Sequence, residues 1–135
     1  MDSEALAGLA IIAQGPAWTL YRCPNVLLVR FHGDIDDDAS AAWRAAAQKS
    51  IDSDGWPRFA FVEPTDGHAT TSLSSRMRTA AFLRDTARHV ETVTIVSDRM
   101  STFVIKTILR AAGAGNVELV DSTLAPAHLA RLRAL

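Results

Sequence analysis

The feature that most constrains this chain is a regular alternation of short β-rich runs with longer stretches of helical spacing. Val26–Phe31 (VLLVRF), Arg58–Glu63 (RFAFVE), Val93–Val96 (VTIV) and Val117–Val120 (VELV) are dominated by branched and aromatic side chains. The first is apolar almost throughout, the pattern of a strand covered on both faces. Strands separated by helices of this length imply a largely parallel sheet with right-handed crossovers.

The start of the chain departs from that pattern. Trp18–Tyr21 alternates large and small residues, and Cys23-Pro24-Asn25 turns the chain into Val26–Phe31. Pro24 cannot donate to a ladder, so it belongs to a hairpin connection, and the second strand of the hairpin is the central one. Residues 1–15 end at the turn signal Gly15-Pro16 and read as an N-terminal arm. The arm can be a short helix or strand docked on the domain, or a segment that binds a partner. Residues 16–135 form the single domain.

Helices fill the intervals. After Gly33, Asp34, Asp36, Asp37 and Asp38 precede an Ala-rich run over 39–49. Aspartate caps helices well, and its charge favours the exposed N–H groups of the first turn. Trp43, Ala46, Ala47 and Ile51 make a buried stripe, and Gly55-Trp56-Pro57 stops the helix. A polar loop over 65–71 leads into a helix from Ser72 to about His89, with Leu73, Met77, Ala80, Ala81, Phe82 and Ala87 available for burial. Ser97-Asp98 caps a third helix over 99–112, ended by Gly113 and Gly115. Asp121-Ser122-Thr123 opens the last helix, with Pro126 in its first turn and Leu129 and Leu132 facing inward. The expected order is β-β-α-β-α-β-α-β-α. It describes a mixed, mostly parallel α/β sheet of about five strands, with an N-terminal antiparallel hairpin and four helices.

Composition narrows the function classes. The chain has 135 residues, enough for one core without staples, and 48% of them are hydrophobic. Its net charge of −1 excludes a binder held to nucleic acid mainly by counterion release. Cys23 is the only cysteine, so there is no internal disulfide and no paired-cysteine metal or redox site. No apolar run approaches the ~20 residues needed to cross a bilayer, and Leu6–Ala13 follows acidic Asp2 and Glu4 instead of the positive start of a signal peptide. A cytoplasmic protein without stable membrane insertion is expected. Arginine supplies 12 of the 14 basic residues and alanine 23 positions, a bias of GC-rich bacterial coding that lowers the weight of any single arginine.

With these elements in place, the chain resembles the STAS family, the domain shared by anti-sigma-factor antagonists and the tails of sulfate transporters. Val26–Asp38 (VLLVRFHGDIDDD) is similar to the family's opening strand running into Gly and an acidic residue. Phe59–Glu63 is similar to its next strand, and Thr92–Asp98 with Met100–Val120 to its later strand-helix-strand. Ala125–Leu132 resembles the closing helix of the small stand-alone, SpoIIAA-like members. The resemblance spans about residues 18–134. It implies a non-catalytic protein-interaction or signalling module whose partner is a kinase or regulator, or a second copy as a homodimer. In the antagonists an Asp-Ser-Ser-Gly motif after the second central strand carries the serine that the partner kinase phosphorylates. Here that stretch is His68-Ala69-Thr70-Thr71-Ser72-Leu73, which keeps hydroxyls without the motif.

Several residue groups are candidate sites. Thr70, Thr71 and Ser72, with Ser74 and Ser75 behind them, lie where a helix N-terminus could hold a phosphoryl group as a switch or anion site. Capping is the simpler use of the same hydroxyls. Arg76, Arg84 and Arg88 fall on one four-residue row, with Arg78 nearby, as a partner surface or as a solvated face. The Asp34–Asp38 run offers carboxylates to a divalent cation, but Ala45 stands where an EF-hand loop ends in Glu, so a capped, solvated turn is expected and no metal. His32, His68, His89 and His128 form no HxH or HxxxH spacing, and only His68, near Asp66, has the setting of an acid–base group. Cys23 reads as a packed thiol. Met100, Phe103, Val104, Ile105, Ile108 and Leu109 spread over more of the helix at 99–112 than one stripe requires, which makes it mostly core with a dimer or partner surface beside Lys106 and Arg110. No cofactor and no enzymatic activity are expected. The alternative is a small-molecule or lipid binder using a crevice between sheet and helices lined by Trp43, Trp56 and Phe82.

Overall fold

The computed structural model describes residues 5–64, 71–96 and 115–135. Six strands make one sheet: β1 (Ala10–Gln14), β2 (Trp18–Arg22), β3 (Val26–Phe31), β4 (Phe59–Pro64), β5 (Thr92–Val96) and β6 (Val117–Val120), in that spatial order. The pairs β1–β2 and β2–β3 are antiparallel, and β3 to β6 run parallel. Three helices accompany the sheet among the described residues: α1 (Asp37–Asp54), α2 (Leu73–Ala87) and α3 (Ala125–Ala134). The helix expected over 99–112, with its Ser97-Asp98 cap, falls outside the described residues.

The expectation of five strands is one short, because Ala10–Gln14 adds to β2 at the sheet edge. Its sequence shows no in–out alternation, since an edge strand buries little: Ile11 and Ile12 are 57% and 41% exposed. A register slip between Ile11 and Ala13 interrupts the ladder there. The turn into β2 requires glycine. Gly15 N–H bonds Trp18 O at 2.9 Å, and an added Cβ would lie 2.4 Å from the Trp18 indole nitrogen.

Parallel strands with same-handed crossovers put α1 and α2 on one face. There Trp43, Ala47 and Ile51 of α1 pack on Leu20, Leu27 and Val29, and Ala87 of α2 joins Ala60, Val93 and Ile95. The other face carries Val26, Leu28, Phe59, Phe61 and Val96, covered by Ala125, Leu129 and Leu132 of α3 and by Leu6. β3 and β4 are thus buried on both sides, which explains their unbroken apolarity.

α1 begins at Asp36, whose carboxylate accepts the Ala39 N–H at 2.8 Å, and ends at Gly55, where φ is 83°. Trp43, Ala47 and Ile51 are buried as expected. α2 departs from expectation. Leu73 and Met77 are 71% and 65% exposed, and the helix buries Ser75 and Thr86 beside the expected Ala87. Small side chains let α2 lie close to α1, where Ser40 and Thr79 hydroxyls meet at 3.2 Å. Leu73 and Met77 are rotated outward, whereas Phe82 and Leu83 further along the helix pack inward.

Candidate functional site

The N-termini of α1 and α2 come together at the carboxyl ends of β3 and β4, the end of a parallel sheet where ligand sites usually form. Ile35, 8% exposed, anchors the loop from β3 into α1. Beyond it the aspartates divide their roles. Asp36 caps its own helix, whereas Asp37 reaches across and accepts the backbone N–H of Ser72 at 2.7 Å. Ser72 is the N-cap of α2, with extended backbone, and its hydroxyl accepts the Ser75 N–H at 3.2 Å. Thr71 Oγ1 accepts from Arg76 Nε at 3.4 Å.

This arrangement is electrostatically tuned. The Ser72 N–H and then the Ser72 hydroxyl hold the Asp37 carboxyl below its ordinary value; desolvation opposes this, while Arg44 and Arg78 add to it. Arg44 is pulled down chiefly by desolvation, then by Arg78, with Asp37 acting the other way. Its Nε donates to Ser40 O at 3.1 Å. Ser75 Oγ is buried close by without a hydrogen-bond partner among the described residues. Chemically, this is a helix start already supplied with an anion by the chain itself.

Thr71 and Ser72 therefore lie at the start of α2, and Arg76, Arg84 and Arg88 lie on its exposed side. Thr70, His68 and Asp66 fall outside the described residues. The acidic run is used for hydrogen bonding at Asp36 and Asp37, and no group of three metal-binding side chains occurs among the described residues. The reach of Asp37 to Ser72 and the participation of Arg44 are invisible in the sequence. The only signal was an acidic run longer than one cap needs.

The remaining candidates take structural positions. His32 Nε2 meets Thr19 Oγ1 at 3.0 Å. His89 stacks on Trp56 with ring centroids 4.2 Å apart and planes 4° from parallel. His128 Nε2 lies 3.2 Å from Glu118 and 3.3 Å from Thr94 Oγ1, while Arg131 approaches Nδ1. A threonine, a histidine and a carboxylate thus meet, but Thr94 is fully buried, which bars a substrate. Cys23 is a free thiol packed against the α3-side core. Trp43 and Phe82 do line a crevice beside Leu27, Val29, Ala60 and Ile51. It offers about 30 Å³ of space to water-sized molecules, room for one or two of them. Trp56 is stacked on His89, outside that lining.

No protein-family model matches the sequence, and none of the curated proteins does. The fold, however, has a counterpart: among the described residues, a single mixed sheet with an N-terminal antiparallel part, two helices on one face and a closing helix on the other make a STAS-like fold. Among solved structures, that of the anti-sigma factor antagonist SpoIIAA in its unphosphorylated form aligns with 88% of this chain and 100% of its own. The TM-score is 0.60 and the identity 14%, so the likeness is one of fold. Among the described residues, no helix is long and apolar enough to cross a membrane.

Proposed function

We propose that this protein is a non-catalytic regulatory module that binds a protein partner, a kinase or regulator, through the N-terminal half of α2. The observation that carries this reading is the exposure of Leu73 and Met77 directly after the Ser72 cap. Two large apolar side chains turned to solvent, on a helix that could have buried them, mark a contact surface. The STAS-like fold supports it, since the structural relative is an anti-sigma factor antagonist with an unphosphorylated form. The hydroxyls of Thr71 and Ser72 border this surface, and together with Thr70 they are the candidate switch. A phosphoryl group added at Ser72 would be opposed by Asp37, whose carboxylate already occupies the helix start. Partner exchange would then couple to the α1–α2 contact. The reading places the protein in the cytoplasm, without cofactor or metal.

A photo-crosslinking residue at position 73, in the protein expressed in its native cell, tests the surface. An adduct with one protein at 73, and none from the exposed position 130 on α3, is expected. No adduct at 73, or the same adduct from both positions, refutes the reading.

A further inference from the structure

We propose that the exposed side of α2 receives an acidic, amphipathic segment of a protein partner; this rests on α2 being the contact surface and specifies the chemistry that fits it. Leu73 and Met77 stand one turn apart and form an apolar spot at the start of the helix. Further along, Arg84 and Arg88 are exposed, in a four-residue row with Arg76 and Ala80. Between 73 and 88 there are four arginines and one acid, Asp85. Among the described residues no side chain pairs with the guanidinium of Arg84 or Arg88. The surface is therefore graded along about 20 Å, apolar at the N-terminal end and cationic at the C-terminal end.

Charge selects the occupant. A second copy of α2 would bring arginines against arginines in a parallel pair and against Leu73 and Met77 in an antiparallel one, and with Asp85 as its only acid it supplies no row of carboxylates in either. A nucleic-acid backbone would satisfy the arginines but leave Leu73 and Met77 in water. A membrane surface calls for a broader apolar face than two side chains supply. An acidic amphipathic segment meets both halves: its carboxylates take paired N–H bonds from Arg84 and Arg88, and its apolar side chains cover Leu73 and Met77.

The test uses the full chain and a fluorescent helical peptide of about four turns, with leucines on one face at one end and glutamates at the other. Its counterpart carries lysines in place of the glutamates. Fluorescence anisotropy should show binding of the acidic peptide alone, weakened several-fold as salt rises to roughly 0.3 M. The double variant R84E/R88E, and separately Met77→Ser, should each lose about tenfold in affinity or more. Arg88→Glu should lose more than Lys49→Glu, which makes the same change of charge on exposed α1. All these side chains are exposed, so unchanged thermal unfolding verifies that each variant is folded. Equal binding of the two peptides, no binding of the acidic one, or loss on R84E/R88E only of binding to phosphatidylcholine–phosphatidylserine vesicles would overturn the proposal. The two readings fail separately. A partner crosslinked at position 73 whose capture ignores R84E/R88E refutes the acidic segment and leaves the contact surface standing. Peptide binding without any adduct at 73 refutes the contact surface in the cell and leaves the chemistry of the helix face standing.

Discussion

Replacing Trp43 by alanine probes the joint on which the α1–α2 side of the molecule depends. The indole is 4% exposed and makes edge contacts with Phe31 at 5.6 Å and Phe82 at 5.7 Å, tying α1 to β3 and to α2. A tryptophan in such a place removes roughly 200 Å² from water, and at ~25 cal/mol per Å² its burial is worth about 5 kcal/mol. Alanine retains about 1 kcal/mol of that, so a loss near 4 kcal/mol is expected, within the usual range for Trp→Ala. For a domain of this size the melting temperature should fall by roughly 12 °C. Urea unfolding followed by circular dichroism measures the loss directly, with the slope unchanged. The new void joins the small apolar crevice beside Leu27 and Ile51, so added indole should restore part of the stability. Trp43→Phe should lose about half as much. A loss below ~1 kcal/mol at unchanged slope would refute the assignment of Trp43 as the packing centre of this face.

Three further outcomes follow from particular contacts. Asp37→Asn should speed amide exchange at Ser72; because the carboxyl is held below 3.8, its stabilising effect is present above that value and lost as pH falls through the lower folded one. A stability gap between wild type and this variant that persists unchanged at about pH 2 would contradict the assignment. His128→Ala deprives the fully buried Thr94 hydroxyl of its partner and should cost about 2 kcal/mol in chemical denaturation. Gly55→Ala should cost ~1–2 kcal/mol through backbone strain alone, since φ is 83° and nothing lies within 4 Å of an added Cβ. Alanine and asparagine at position 55 should then be similarly destabilising in thermal unfolding.

Much of the fold was legible because its signals are local. The strands at 26–31, 59–64, 92–96 and 117–120 lie within a residue or two of where branched and aromatic runs put them. Asp36 and Gly55 bound α1 through hydrogen bonds made inside the helix ends themselves. The inward side of α1 followed from spacing because Trp43, Ala47 and Ile51 share one stripe. β1 was harder to read, because an edge strand needs a neighbour more than a pattern. α2 was misread where burial was assigned by size: Leu73 and Met77 face water while Ser75 and Thr86 are enclosed. Spacing marks a stripe only when all the large residues of a helix share one side, and on α2 Phe82 packs inward with Ser75 and Thr86 while Leu73 and Met77 do not.

The candidate site shows the same division more sharply. The hydroxyls at 71–72 and the arginine row were visible as residues, and so was an acidic run with more charge than a cap requires. Their meeting was not. Asp37 and Ser72 are 35 positions apart, and only the parallel pairing of β3 with β4 brings the starts of α1 and α2 together. By itself the sequence determined the alternation of elements, their ends and the apolarity of the two central strands, because each depends on neighbours a few residues away. Tertiary structure alone decided that Asp37 supplies the anion at the start of α2 and that Leu73, Met77 and the arginines face outward. Those outcomes depend on which surfaces the sheet and α1 leave open, a property of packing that no short stretch of chain contains.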